Sequence, residues 1–563
     1  MSSVKSQSYG SEGNDMILNL GSYTAAVEKR LSSWEDEDFA QRFWDKDFTL
    51  WSLKPIPELT DRMGWLEIFE PMHDHLKNMI ELADEIKTSG FKHVVLMGMG
   101  GSSLAPEVFQ NVFGNTEGFP ELLILDTTHP TAIRRIEERI DISKTIFVVS
   151  SKSGSTIETL SAFNYFWKKV GGPTPGVHFI AITDPESSLM KLAAEKGFRK
   201  SFPGTPDVGG RYSALTLFGL VPAYLIGTDG HKLLDRGWDI AGASAGYLSV
   251  EDNPCLKLGA ILGELALAGR DKITFFTTPS LRAFPTWIEQ LIAESTGKEG
   301  KGIVPIVDEI IEDPWVYRKD RVFVHYILNS ENSAEINAKV KALEEAGHPV
   351  IRLILNTKDD LGMELFRWEM AVAAAGSILG INPFDQPDVQ LAKELAKQAM
   401  EQKAPKPAAK NEKSDVETIM LDQTIIAAKA FESFIGGARL NDYIAVQAYL
   451  APDYDTEAAL QEFRLSLRDR LKLATTFGWG PRFLHSTGQL HKGGPNNGVF
   501  IQIVDEPQDD IHVPETNYTF GSLIQAQALG DYKALKQRGR RVIRLNLGPD
   551  AGKGLELLFK LLD

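Results

Sequence analysis

Cysteine is almost absent. The 563-residue chain has one, Cys255, so it can close no intrachain disulfide and offers no cysteine cluster to zinc. A reducing compartment, the cytoplasm, is the expected setting. Long apolar runs are also missing: none reaches the length needed to span a bilayer. The opening MSSVKSQSYGSEGNDM is polar and rich in Gly and Ser, without the apolar centre of an export signal, and residues 1–20 read as a disordered tail. Basic residues are outnumbered, 60 Lys and Arg against 76 Asp and Glu, leaving a net charge of −16. That balance argues against a nucleic-acid partner, and it requires any anionic ligand to find a locally positive pocket. The nucleotide-loop signatures are missing as well. MGMGGSSLAP, 97–106, has Ser103 where a dinucleotide fingerprint needs its last glycine, and no G-K-[ST] follows it.

What is present is alternation. After a helical stretch from about 23 to 86, the short apolar runs HVVLMG, LLILDT, TIFVVSS and VHFIAITD are separated by helix-length segments. A second series, KITFFTT, GIVPIVDE, RVFVHYIL and VIRLIL, and a third, DYIAVQAYL, GVFIQIVDE and RVIRLNL, follow. Strand alternating with helix predicts parallel sheets covered by helices. EQKAPKPAAKNEKSD, 401–415, has no periodicity and reads as a linker. The second and third series share anchors in one order. DKITFFTT pairs with DYIAVQAY, ESTGKEGKGIVPIVDE with HSTGQLHKGGPNNGVFIQIVDE, GHPVIRLIL with GRRVIRLNL, and GMELFR with GLELLF. An internal duplication is expected. Its domains are a helical region plus a first α/β unit over 21–245, a second unit over 246–400 and a third over 416–563.

Several stretches concentrate chemistry. Glycines in the 97–106 turn let backbone approach a ligand at a helix start, a reading balanced by a plain strand–helix turn. In VVSSKSGSTIETL the hydroxyls of Ser150, Ser151, Ser153, Ser155 and Thr156 crowd a strand end with Lys152, before a helix beginning near Thr156. Hydroxyls, an ammonium and free N–H groups make a phosphate cradle, and five hydroxyls exceed what one helix cap needs. Arg211 follows two glycines in DVGGRYS and could present its fork in a cleft or pair with a neighbouring carboxylate. Gln290 and Glu294 lie four apart on one helix face in WIEQLIAESTGK. Glu294 follows Leu291, Ile292 and Ala293, and a carboxylate drawn out of water there suits a general base, against the commoner fate of a solvated Glu. His485 takes the place of Glu294 in the duplicate, with the side chain best suited to move protons near neutral pH. No metal site is read around His485 and His491.

Together these stretches resemble the glucose-6-phosphate isomerase, or phosphoglucose isomerase, family. GMGGSSLAP, SSKSGSTIET, DVGGRYS, QLIAESTGK, INPFDQPDVQLAKELA and HSTGQLHKGG are each similar to a family motif. The likeness covers about 90–563 and is closest to the isomerase half of bifunctional transaldolase/phosphoglucose isomerases. It implies two sugar-isomerase (SIS) type domains plus a third, duplicated SIS-like unit. It also implies reversible conversion of glucose 6-phosphate to fructose 6-phosphate through a cis-enediol, in glycolysis and gluconeogenesis, with no metal and no cofactor. By resemblance Glu294 is the base, Arg211 steadies the enediolate, and Lys393 and His485 open the sugar ring. Gly101, Ser102, Ser151, Lys152, Ser153, Thr156, Gln290 and Gln386 bind substrate. The order of the motifs departs from the family: Lys393 precedes His485, which lies beyond the linker. In the conventional dimer that His comes from the neighbouring subunit. The third unit is therefore expected to supply it within one chain, allowing a monomer where a homodimer would otherwise be needed. Two alternatives carry over: a dual phosphoglucose/phosphomannose isomerase, and a non-catalytic sugar-phosphate-binding protein on the same domains.

Overall fold

The computed structural model of the protein describes residues 7–11, 14–401 and 417–562. The chain opens on two antiparallel strands, β1 (Gln7–Ser11) and β2 (Asn14–Asn19). Over Gln7–Ser11 and Asn14–Asn19 this corrects the disordered tail expected over 1–20. The Gly and Ser of its first half drew the eye away from the MILNL run, where Met16 and Leu20 are buried. The run is long enough for a strand, and it pairs with β1 on one side and β11 on the other.

The first apolar series forms a parallel sheet from β3 (His93–Met97), β4 (Glu121–Leu125), β5 (Thr145–Ser150), β6 (Phe179–Thr183) and β7 (Lys200–Pro203), in the order β4-β3-β5-β6-β7. The chain steps from β3 to one side and returns to the other, so β3 and β5 flank a topological switch point. In open α/β sheets the crevice beyond the strand ends at such a point is where ligands lodge.

The second series gives β8 (Lys272–Thr277), β9 (Val304–Ile306), β10 (Arg321–Leu328) and β11 (Val350–Leu355). With β2 antiparallel to β11, the six-stranded order is β1-β2-β11-β10-β8-β9. The third sheet is parallel, β12-β16-β15-β13-β14, from β12 (Thr418–Met420), β13 (Tyr443–Tyr449), β14 (Ala474–Trp479), β15 (Gly498–Val504) and β16 (Arg541–Asn546).

The two later sheets repeat one topology. Order β11-β10-β8-β9 in one matches β16-β15-β13-β14 in the other. Three of the four sequence anchors fall on equivalent elements: β8 on β13, β11 on β16, and the helix after each last strand. The fourth does not. GIVPIVDE carries the edge strand β9, whereas GVFIQIVDE carries β15, which lies between β13 and β16 where the second sheet has β10. Glu294 therefore precedes its sheet's edge strand, and His485 follows the equivalent edge strand, β14. The expectation that His485 occupies the position of Glu294 is corrected accordingly. The cause is β14 itself: ATTFGW has too little apolar character to stand out as a strand, and its second half is only partly buried.

The unit boundaries also differ from those expected. The N-terminal helical region carries Trp34, Phe43 and Trp65 into the same core as Leu256 and Trp368 of the second unit. Helix Val389–Glu401, expected to end the second unit, packs on helix Phe520–Gln537 of the third. A Cβ at Gly530 would lie 2.7 Å from the Ala396 nitrogen. The linker expected over 401–415 falls, from 402 on, outside the described residues. No helix among the described residues is long and apolar enough to cross a membrane.

Candidate active site

Three glycine turns meet at the switch point. The turn Gly100–Ser102 follows β3, and the turn Gly210–Tyr212 carries Arg211. A Cβ on Gly101 would stand 2.0 Å from the Gly210 carbonyl oxygen, and one on Gly100 would stand 2.4 Å from that of His485. Gly100 also has φ +56°, where a side chain is strained. Glycine at both positions thus lets the Arg211 turn and the His485 turn close on the same loop.

The second turn of the cradle follows β5. Ser151 and Thr156 share a hydrogen bond of 2.9 Å, Ser153 and Ser155 one of 3.0 Å, and the Gly154 N–H donates to Ser151 Oγ at 3.1 Å. Helix Ile157–Val170 then begins, with Thr156 at its N-cap making no side-chain cap, so the first helical N–H groups face the loop. Gly101, Ser102, Ser151, Ser153 and Thr156 are thereby assembled at the ends of two adjacent strands. Lys152 departs from the expected role. Its ammonium is held by Asp184 at 2.7 Å and by the carbonyls of Thr205 and Pro206. Burial, partly offset by Asp184, lowers its pKa. With three acceptors for three protons, the Lys152 ammonium fastens the loop instead of facing the cradle.

Arg211 is buried and fixed. Nε donates to Ser295 at 2.7 Å, Nη1 to Gln386 Oε1 at 2.7 Å, and Nη2 to the carbonyls of Pro383 and Asp385 at 2.6 and 3.0 Å. Of five guanidinium protons one on Nη1 is left, and Nη1 is the nitrogen 3.8 Å from Glu294 Oε1. Gln386 is thus engaged with Arg211. Lys298, in the same E-S-T-G-K stretch, clamps the N-P-F-D-Q segment through the Asn382 carbonyl at 2.5 Å and Asp385 at 2.8 Å.

Glu294 sits near the end of helix Phe284–Thr296, which is buried along nearly its whole length. Gln290, one turn earlier, is the pivot. Its Nε2 donates to Glu294 Oε2 at 3.0 Å and to the His485 carbonyl at 2.8 Å. The His485 segment therefore meets Glu294 within one chain. The two S-T-G loops also touch: Gln489 Nε2 donates to the Gly297 carbonyl at 3.0 Å, and the Gly300 N–H to that of Gly493 at 2.9 Å. Arg482, on the same short turn as His485, pairs with Glu107 and, at 3.2 Å, with Asp126 of the first unit.

The reading of the sequence missed the partner of His485. Its Nε2 lies 3.1 Å from Glu158 Oε1, on the first turn of helix Ile157–Val170. Burial pushes the Glu158 carboxyl up, but the His485 charge and hydrogen bond pull it further down, with help from Lys393, so its pKa ends below the ordinary range. Glu158 stays ionised and sets which ring nitrogen of His485 carries the proton toward it. Its own stretch, S-T-I-E-T, offers no more than an acidic residue just inside a helix start. Lys393 is exposed on helix Val389–Glu401 and reaches the site through its charge on Glu158. His491 is buried against Gln447, at 3.1 Å. Burial, reinforced by Lys492 and Arg540, holds its pKa far below the usual range, which suits a neutral packing residue.

Fold and site together define an α/β protein with a hydroxyl-rich loop and a helix start at a switch point, beside a buried carboxyl and an imidazole. The phosphoglucose isomerase family model matches residues 66–306. Glucose-6-phosphate isomerase of Rubrobacter xylanophilus is 28% identical over 392 residues, covering 60% of this chain and 89% of that protein. That of Staphylococcus saprophyticus is 27% identical over 397 residues, covering 61% and 89%. Among solved structures, a hypothetical protein of Thermus thermophilus superposes with a TM-score of 0.59 at 24% identity, over 68% of this chain and 99% of that one. A glucose-6-phosphate isomerase of Chlamydia trachomatis gives 0.56 at 18% identity, over 71% and 90%. These two likenesses establish the shared fold.

Proposed function

We propose that the protein interconverts glucose 6-phosphate and fructose 6-phosphate, the step glycolysis and gluconeogenesis share. The observation that carries the reading is the Gln290 amide, which joins the Glu294 carboxylate to the His485 backbone beneath the phosphate cradle. An aldose–ketose isomerisation needs a base able to take a proton from C2 and return it to C1, and a group that moves a proton on the ring oxygen. Glu294 has the first role. His485, oriented by Glu158 with Lys393 nearby, has the second.

The phosphate is held by Ser102, Ser151, Ser153, Thr156 and the free N–H groups before Ile157, whose partial positive charge favours an anion. Gln290 Oε1 is buried with no hydrogen-bond partner among the described residues, and so is an acceptor for a sugar hydroxyl. As charge builds on the enediolate oxygens, the remaining Nη1 proton of Arg211 faces it without rearrangement, because the other four protons already fix the guanidinium. His485 comes from the same chain, so the site is complete in a monomer. The single, buried Cys255 fits a cytoplasmic location.

Glu294→Gln tests the reading. A coupled assay should show isomerisation of glucose 6-phosphate reduced to background, while the open-chain analogue glucitol 6-phosphate still binds in calorimetry. Turnover persisting in the variant would remove Glu294 as the base. A wild-type chain that binds the analogue without turning over glucose 6-phosphate would favour the non-catalytic alternative.

A further inference from the structure

Glu158 accepts two hydrogen bonds on one oxygen. His485 Nε2 is 3.1 Å from Oε1, and Gln527 Nε2 donates to the same atom at 2.7 Å. Gln527 belongs to helix Phe520–Gln537 of the third unit and is buried. At its other end Oε1 accepts from Thr128 Oγ1 at 2.7 Å, in the loop after β4 of the first unit. A hydroxyl can give its proton to the amide oxygen, so Thr128 fixes the amide with its NH2 toward Glu158. The next residue, His129, is bound through Nε2 to Asp505 at 3.1 Å, just beyond β15, which locks that loop to the third sheet.

We propose that Gln527 is a positioning residue for ring opening: held by Thr128, it fills one lone pair of Glu158 and leaves the other directed at His485. The inference rests on the isomerase reading above and extends it. The third unit would then supply both the imidazole and the group that aims its carboxylate, so its docking on the first unit sets the geometry of proton transfer. The alternative is that Gln527 merely fills space between the units. Gln527→Glu separates the two, because it keeps the volume, removes the donor and brings a second carboxyl against Glu158.

The expected result is a fall in kcat/KM for cyclic glucose 6-phosphate of about ten- to a hundredfold, the worth of a hydrogen bond to a charged group. The pH profile of kcat/KM should gain an ionisation, because the paired carboxyls share a proton. Binding of glucitol 6-phosphate, which has no ring to open, should not change. Thr128→Val, which keeps the shape and removes the hydroxyl, should show the same split at smaller size, and it decides the matter if Gln527→Glu fails to fold. An unchanged pH profile in Gln527→Glu, or equal losses of turnover and glucitol 6-phosphate affinity in the variants that fold, overturns the proposal. A wild-type chain without isomerase activity would instead overturn the functional reading on which it rests.

Discussion

Glu289 gives the sharpest quantitative test of how the Glu294 helix is held. It precedes Gln290 and lines a cavity of about 640 Å³ together with Thr286, Gln461, Arg464 and Trp479. Burial pushes its pKa from 4.5 up to about 8, against the pull of Arg464 and with some help from Asp308. An unfolded Glu releases its proton near 4.5, whereas the folded chain keeps it to about 8. Between those limits the folded state binds more protons, so stability falls as pH rises, by about 1.4 kcal/mol per pH unit. Across the window the cost reaches on the order of 5 kcal/mol. Glu289→Gln keeps the shape and has nothing to ionise. Its advantage over wild type should be near zero at the acid end and grow with pH. Urea unfolding followed by circular dichroism at about pH 5, 6.5 and 8 measures this directly. An offset that does not change with pH, or a variant less stable than wild type at the alkaline end, would refute the reasoning.

Three further outcomes are expected. Gly101→Ala places a methyl 2.0 Å from the Gly210 carbonyl oxygen, so it should cost about 1–3 kcal/mol in unfolding free energy and lower kcat/KM by displacing Arg211; wild-type melting and kinetics together would show that the two turns do not touch. His485→Asn should lower kcat/KM for the cyclic sugar phosphate by about a hundredfold while sparing glucitol 6-phosphate affinity; a matching loss of affinity would place His485 in binding instead. Specific activity should stay constant on dilution to concentrations at which light scattering finds only monomer, and a fall would mean that a second chain completes the site.

Much of this was legible in the sequence. Apolar runs bounded by glycine marked the central strands, because a strand covered on both faces must be apolar at every position. Arg211, Gln290, Glu294 and His485 stood in motifs whose residue types fit their surroundings. What escaped was set by tertiary contact. Nothing in its own stretch singles out Glu158, and only the docking of the third unit shows which imidazole it faces. Lys152 looked like a phosphate ligand until Asp184, thirty-two residues on, claimed it. The S-T-G and V-D-E repeat gave a correct sense of kinship between the last two units and a wrong register for one strand, because the short motif weighed more than the unassuming edge strand β14. The short MILNL run was masked by the Gly and Ser before it, although β2 pairs with β1 on one side and β11 on the other.

The Gln290 bridge has a genetic consequence. Where an enzyme builds each site from two subunits, a variant broken in one half can be mixed with a variant broken in the other, and hybrids recover some whole sites. Here Glu294 and His485 are joined through one amide on one chain. Coexpressing Glu294→Gln with His485→Asn should therefore restore nothing, and each allele should behave as recessive to a functional copy.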